Sequence, residues 1–349
     1  MREISREELD EVLDKHRVWL ESEGKQGARA ELVECDLTAI DLSETNLKRA
    51  ILSGSILQNT NLRKSDLRKA EMLETDLFSA DLTQADLRQA DLWQSDMGET
   101  TLVDANLSGT CLNETILDGA NLSRANIRRG DLTEATLIGA NLGGASLVAA
   151  SLTSADRTTA NMENTNLGEA NLFETNLRNS NLRSSFLGLA NLFGANLIGT
   201  NLENAKFSLT RISDLTGALN LGSCLHIGPS FFLAELLLDK SIPDVFLEGI
   251  GVPRNLVEGL SSFREAFPIQ LYSCFISYSH KNEDFAKSLF ESLKSENVTV
   301  WYAPEEMKSG RKLRDQIDNA IRTHDKLLIV LSEESMDSLV GWRRKSSGR

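Results

Sequence analysis

Residues 80–97 read ADLTQADLRQADLWQSDM, and residues 170–197 read ANLFETNLRNSNLRSSFLGLANLFGANL. In both stretches a large apolar residue returns at every fifth position. Followed outward, this beat runs from Leu32 to Ile212, and of its 37 places only Arg157 is not Leu, Ile, Met or Phe. Two residues before each large residue lies a second column, which from Thr45 to Thr210 contains only Ala, Ser, Thr and Gly. A period of five fits neither the period of about 3.6 of a helix nor the period of about 2 of a flat strand. Some other regular backbone repeats here.

A chain that turns a corner every five residues can point one large and one small side chain inward per side and close a coil in four sides, or twenty residues. Coils stacked at strand spacing, about 4.8 Å, pair their backbones with one another, and about nine of them make a rod on the order of 45 Å long. The place before each large residue is dominated by Asp and Asn, as at Asp76, Asp81, Asp86, Asn171 and Asn176. Such side chains bond readily to nearby backbone, which suits repeated turns.

On these residues the segment resembles the pentapeptide-repeat family, whose pattern is Ala-(Asp/Asn)-Leu-X-X. The resemblance implies a mainly β fold, a right-handed quadrilateral β-helix over residues 27–212. It implies no particular activity.

Arg157 stands where a core Leu belongs. An unpaired guanidinium is costly to bury, so a local bulge that swings it to water is expected. A solenoid also needs its ends covered. Ser5 and Glu8 form a capping-box pattern, and Leu9, Val12, Leu13, His16, Trp19 and Leu20 share one helical face, so residues 1–26 read as a helix capping the first coil. His16 reads as a packed histidine. Beyond residue 212 the beat fades, and Pro229, Pro243 and Pro253 punctuate short apolar runs. Residues 213–271 read as a small helical connector with helix starts at Ser230 and Asn255, and His226 reads as structural.

Residues 272–349 change pattern again. YSCFISYS, VTVWY and KLLIVLS read as buried strands of a parallel sheet, with helices over EDFAKSLFESLKS and LRDQIDNAIRT between them. That order implies a flavodoxin-like α/β layout, in which ligands bind beyond the carboxyl ends of the strands. Those ends carry Ser277, Tyr278 and Ser279, then Trp301, Ala303 and Pro304. The loop that follows the second strand carries Gly310 and Lys312.

The stretches FISYSHKNEDFAKSL, VWYAPEEMKSGRKL and AIRTHDKLLIVLSEES resemble a bacterial Toll/interleukin-receptor (TIR) domain. The resemblance implies either association with other TIR domains through the loop over residues 303–312, or cleavage of NAD at its nicotinamide–ribose bond. The second activity uses a glutamate whose carboxylate stabilises an oxocarbenium-like centre. In the family pattern that glutamate follows a Trp by four positions. Counted from Trp342 the place is taken by Ser346, and no acidic residue follows Asp337. A partial TIR domain without catalytic residues is therefore expected, with NAD only as the substrate of an intact homologue and no certain cofactor.

The chain has 349 residues and a net charge of −14, and its cysteines, Cys35, Cys111, Cys224 and Cys274, have no paired spacing. A zinc site or disulfide framework is not indicated, and a reducing cytoplasm is expected. No run of about 18 apolar residues and no leader pattern is present, so no membrane partner is expected. The acidic balance argues against nucleic acid as a partner. It also raises an acidic DNA-mimic inhibitor of a topoisomerase as a third reading. Charge is unevenly spread, however: stacking residues by twenties puts Lys48, Arg68, Arg88 and Arg128 on one edge and Glu34, Glu74, Glu114, Glu134 and Glu174 on another. A mimic needs a continuous negative face. Leu73, Trp93, Phe173 and Phe193 form an outward apolar column on the acidic side, a candidate partner surface. The leading expectation is an interaction and signalling protein in which a rod presents a TIR domain to protein partners, other TIR domains among them. The alternative is an NAD nucleosidase.

Overall fold

The fold is that of a computed structural model, which describes residues 1–266, 273–277, 287, 288, 291, 299–302 and 326–329. The chain divides into two compact units, Met1–Leu260 and Ser261–Arg349.

In the first unit the ladder is parallel and its step is twenty residues. Ile56 bridges Asp76, Asp76 bridges Asp96, and the series continues through Asn176 to Asn196. Each coil therefore spans twenty residues, or four of the five-residue repeats. Every large residue of the column points inward: Leu32, Leu37, Leu42 and Leu47 are fully buried, as are their counterparts through Phe207. Burying one such side chain stabilises by about 1.5–3 kcal/mol, and four per coil make one continuous apolar axis.

The corner chemistry explains the rest of the pattern. Leu47 O accepts from Ala50 N–H at 2.9 Å across the turn. The second residue after each large one lies in the left-handed region, as at Arg49 with φ 64° and Glu74 with φ 53°. Asp or Asn before the large residue accepts from the N–H two positions on, as Asp36 does from Thr38 at 3.0 Å and Asp81 from Thr83 at 2.9 Å. That bond pins the turn, so non-glycine residues can hold a positive φ at nearly every corner. Hydrogen bonds from the Thr38 side chain and backbone also hold the Asp36 carboxyl below its usual range. Several threonines of the small column are satisfied by the previous coil, as Thr110 Oγ1 donates to Leu87 O at 2.8 Å and Thr175 Oγ1 to Leu152 O at 2.7 Å, whereas Thr75 and Thr100 donate within their own coil, to Met72 O and Met97 O.

Arg157 departs from expectation. No bulge forms there. Its N–H donates to Asn176 O at 2.8 Å and its carbonyl accepts from Ala160 N–H at 3.0 Å, as a leucine's would. The side chain is fully buried, and its three nitrogens have no hydrogen-bond partner. A bulge would break ladder bonds to both neighbouring coils, and the twenty-residue register overrides the preference of one side chain for water.

At the start of the chain, strand β1 (Arg2–Glu3) pairs in parallel with β2 (Cys35–Asp36), and helix α1 (Arg6–Glu21) lies between them in sequence. Ser5 is its N-cap and accepts from Glu8 N–H. Leu9 joins the apolar axis, and His16 is fully buried. Its Nδ1 accepts from Ala30 N–H at 3.0 Å, and its ring stacks on Trp19 with centroids 5.7 Å apart.

At the other end the ladder outlasts the beat. Strands β3 (Asn191–Leu192), β4 (Lys206–Phe207) and β5 (Arg211–Ile212) are followed by β6 (Leu225–His226) on β4 and β7 (Phe231–Phe232) on β5. Ser230, read from sequence as a helix start, instead directly precedes β7. Helices α2 (Asp244–Gly249) and α3 (Arg254–Ala266) come later. His226 stacks on Phe207 at 5.7 Å and meets Phe246 edge-on at 4.9 Å, so α2 is held to the last coil by an aromatic cluster. Burial lowers the pKa of both His16 and His226.

In the second unit, β8 (Ser273–Ser277), β9 (Thr299–Tyr302) and β10 (Lys326–Ile329) form a parallel sheet in the order β10-β8-β9. The first strand in the middle is the arrangement that a flavodoxin-like layout requires. Lys287, Ser288 and Glu291 are helical, within the first helix read from sequence.

Candidate functional site

The sheet of the second unit brings one candidate edge together. Ser277 pairs with Ile329, and Ile276 with Tyr302, so the carboxyl ends of β8, β9 and β10 finish level with one another. Ser277 ends β8, and Trp301 is the next-to-last residue of β9, opposite Phe275. Parallel α/β sheets bind ligands beyond this edge because the loops that leave it point backbone and side chains toward one crevice. Tyr278, Ser279, Ala303, Pro304, Gly310, Lys312 and Ser346 lie outside the described residues.

The solenoid candidates are each placed. Lys48, Arg68, Arg88 and Arg128 recur on one corner of successive coils, but the corner is not uniformly basic. Arg68 Nε donates to Asp66 at 2.7 Å and lies 3.6 Å from Asp86, and Arg88 is paired with Asp86 at 2.7 Å. The spacing Asp-Leu-Arg puts Asp66 and Asp86, residues of the turn column, each two residues before the arginine it pairs with. Lys48 also acts on Asp66, whereas Lys69, Arg128 and Arg129 have no carboxylate partner among the described residues. Around Lys48 and Lys69 lie two clefts. One of about 420 Å³ is lined by Trp19, Leu20, Glu23, Gly24, Lys48, Arg49 and Lys69, and one of about 320 Å³ by Lys48, Arg68, Lys69, Arg88, Gln89 and Ser108. Arg49 sits over the Trp19 ring at 5.3 Å, a cation–π contact that no local sequence spacing foretells.

The apolar column is broken rather than continuous. Phe173 and Phe193 stack with centroids 6.4 Å apart and planes within 4°. Trp93, whose indole N–H donates to Glu114 at 3.4 Å, is separated from them by Asn113, Thr133 and Thr153 on the intervening coils.

Chemistry on the first unit is limited. Burial pushes the Cys224 thiol up to about 12, and burial raises Cys35 and Cys111 as well, so none offers a thiolate at neutral pH. No group of three His, Cys, Asp or Glu side chains suited to a metal ion occurs among the described residues. Nor is any described helix long and apolar enough to cross a membrane.

Comparison with known proteins agrees with both units. Residues 274–346 match the TIR domain family, and five segments between residues 30 and 208 match pentapeptide repeats. A 2′ cyclic ADP-D-ribose synthase of Acinetobacter baumannii is 39% identical over 64 residues, 18% of this chain and 24% of that protein. A probable 2′ cyclic ADP-D-ribose synthase of Methanobrevibacter olleyae is 32% identical over 68 residues, 19% of this chain and 20% of that protein. The chain thus spans about a quarter or less of these relatives. Among solved structures, HetL of Nostoc sp. strain PCC 7120, a pentapeptide repeat protein involved in heterocyst differentiation regulation, superposes with a TM-score of 0.51 at 28% identity. The match covers 63% of this chain and 96% of HetL. The chain is a pentapeptide-repeat protein that carries a TIR domain after its repeats.

Proposed function

We propose that this protein works in signalling by association, with the solenoid as a stiff scaffold that presents the TIR domain to protein partners, other TIR domains among them. The observation that carries this reading is the pairing of a TIR-family stretch with Ser346 at the place where the family pattern has a glutamate. A serine hydroxyl cannot supply the negative charge that an oxocarbenium-like centre calls for, so the domain recognises partners and does not turn over NAD. The solenoid is right-handed and quadrilateral in this reading, and α1 serves as the cap that shields the first coil.

A second reading has a specific basis. The two relatives are named as a synthase and a probable synthase of a cyclised ADP-ribose, and the TIR-family match begins within β8. In that reading the level edge of β8, β9 and β10 receives NAD. Incubating the purified full-length protein with NAD and following nicotinamide release separates the two. The association reading expects no release above the buffer rate. Release that disappears on Glu333→Gln or Glu334→Gln establishes the enzyme reading and points to a substitute carboxylate.

A further inference from the structure

The corners of the solenoid treat charge in two ways. At the corner that carries residues 44, 64, 104 and 124, opposite charges fall twenty residues apart on neighbouring coils and pair. Lys64 meets Glu44 at 3.2 Å, Arg124 meets Asp104 at 2.7 Å, and Arg183 meets Glu203 at 3.7 Å. At two other corners like charges are collected instead. One carries Glu34, Glu74, Glu114, Glu134 and Glu174, all exposed, and none has a Lys or Arg partner among the described residues. The other carries Arg49, Lys69, Arg128 and Arg129, all exposed and without a carboxylate partner among the described residues, while on the same corner Lys48 acts on Asp66 and Arg68 and Arg88 pair with Asp66 and Asp86. Like charges side by side on a ladder destabilise it, and the paired corner shows that this fold can neutralise charge internally.

We propose that the basic corner of one copy docks along the acidic corner of a second copy, with the two solenoids parallel and side by side. A second copy fits because its ladder has the same rise. Unpaired charges recur at the same whole number of coils in both rows, Lys69 and Arg129 three coils apart and Glu74 and Glu134 three coils apart, so a match at one place carries through to the other, whereas a partner of different pitch loses register. With the copies level, Lys69 and Glu74 are separated in height by five residues, a quarter of a coil, or about 1.2 Å. Arg129 and Glu134 stand in the same relation. The contact joins two unlike edges, so the pair keeps one edge of each sign free and association runs beyond a dimer unless the copies close into a ring. Because the charges are solvent-facing, the contact is weak and sensitive to salt. This inference concerns the solenoid alone and is independent of what the TIR domain does.

The test is sedimentation velocity of the full-length protein with two charge-reversed variants. One carries Lys48→Glu, Lys69→Glu and Arg129→Glu, and the other carries Glu34→Lys, Glu74→Lys and Glu134→Lys. At about 50 mM salt the wild type should sediment well above the 38.5 kDa of one chain, with at least about a twofold rise in mean mass, and should return toward it at about 500 mM. Each variant alone should lose the low-salt species, and their equimolar mixture should regain it, because reversal restores both pairs of unlike edges. Variants that associate as the wild type does overturn the proposal, as TIR-driven association would. So does a mixture that stays monomeric, or a wild type that is monomeric at low salt and binds an oligonucleotide instead.

Discussion

The backbone N–H of Arg157 donates to the carbonyl of Asn176 at 2.8 Å, so the one residue that interrupts the apolar column keeps the ladder of the leucines around it. The coil is intact, and the guanidinium is carried into the axis without a partner. The molecule accepts a local electrostatic cost to keep a global register.

Arg157→Leu is accordingly expected to stabilise the solenoid, by about 2–5 kcal/mol, since an uncompensated buried cation is exchanged for an apolar side chain that the site accommodates on every other coil. Urea unfolding followed by far-UV circular dichroism gives the comparison. An unchanged or lower midpoint in the variant would contradict the buried placement.

The same residue sets a pH dependence. Burial lowers the guanidinium from 12.5 to about 9. Above about pH 9 the folded chain releases a proton that the unfolded chain still holds, so stability from this group rises with pH in that window. The gap in urea midpoint between wild type and Arg157→Leu should therefore be full at pH 7 and narrow as pH passes 9. A gap that stays constant to pH 10.5 or so would refute the linkage.

His16 gives a dependence of the same sign in a more acidic window. Its folded pKa is depressed, chiefly by burial, from 6.5, and its Nδ1 must be unprotonated to accept from Ala30. Below pH 6.5 the unfolded chain binds a proton that the folded chain resists, so stability falls with acid. We expect α1 to loosen from the first coil below pH 6.5, read as a change in fluorescence of Trp19, which stacks on His16. His16→Gln should remove that step, and an identical acid transition in the variant would speak against His16 as its origin.

Gly27 has φ +73°, and a Cβ there would lie 2.3 Å from Lys15 O and 2.7 Å from Trp19 N. Both are backbone atoms of α1, which cannot swing aside as a side chain does. Gly27→Ala should cost at least about 1–2 kcal/mol, from the left-handed backbone and the clash together. Limited proteolysis should cut within residues 1–26 faster in the variant, and equal rates would show that α1 is not held by this close approach.

Much of this was legible because a solenoid turns a linear period directly into a spatial one. The spacing of Leu32, Leu37, Leu42 and Leu47 determines both who is buried and who stacks on whom, with no long-range pairing left to guess. Ser230 was misread because the last coil, through β6 and β7, keeps the ladder without the beat: Leu225 and Phe231 are exposed, while their backbones pair with Lys206 and Arg211. The neutralisation of Arg68 and Arg88 by Asp66 and Asp86 depends on side-chain reach across a corner, which periodicity does not encode.

The sequence by itself determined the twenty-residue coil, its apolar axis, its turn chemistry and the order of strands after residue 272, because each follows from local spacing and short-range hydrogen bonding. Tertiary structure alone decided that Arg157 stays inside, that Trp19 carries Arg49 over its ring, and which corner charges find partners, as Arg68 and Arg88 do, and which, as Lys69 and Glu74, find no oppositely charged partner among the described residues. These outcomes depend on competition between a residue's own preference and the register imposed by the coils above and below it. That register wins because breaking it costs backbone bonds on two neighbouring coils at once.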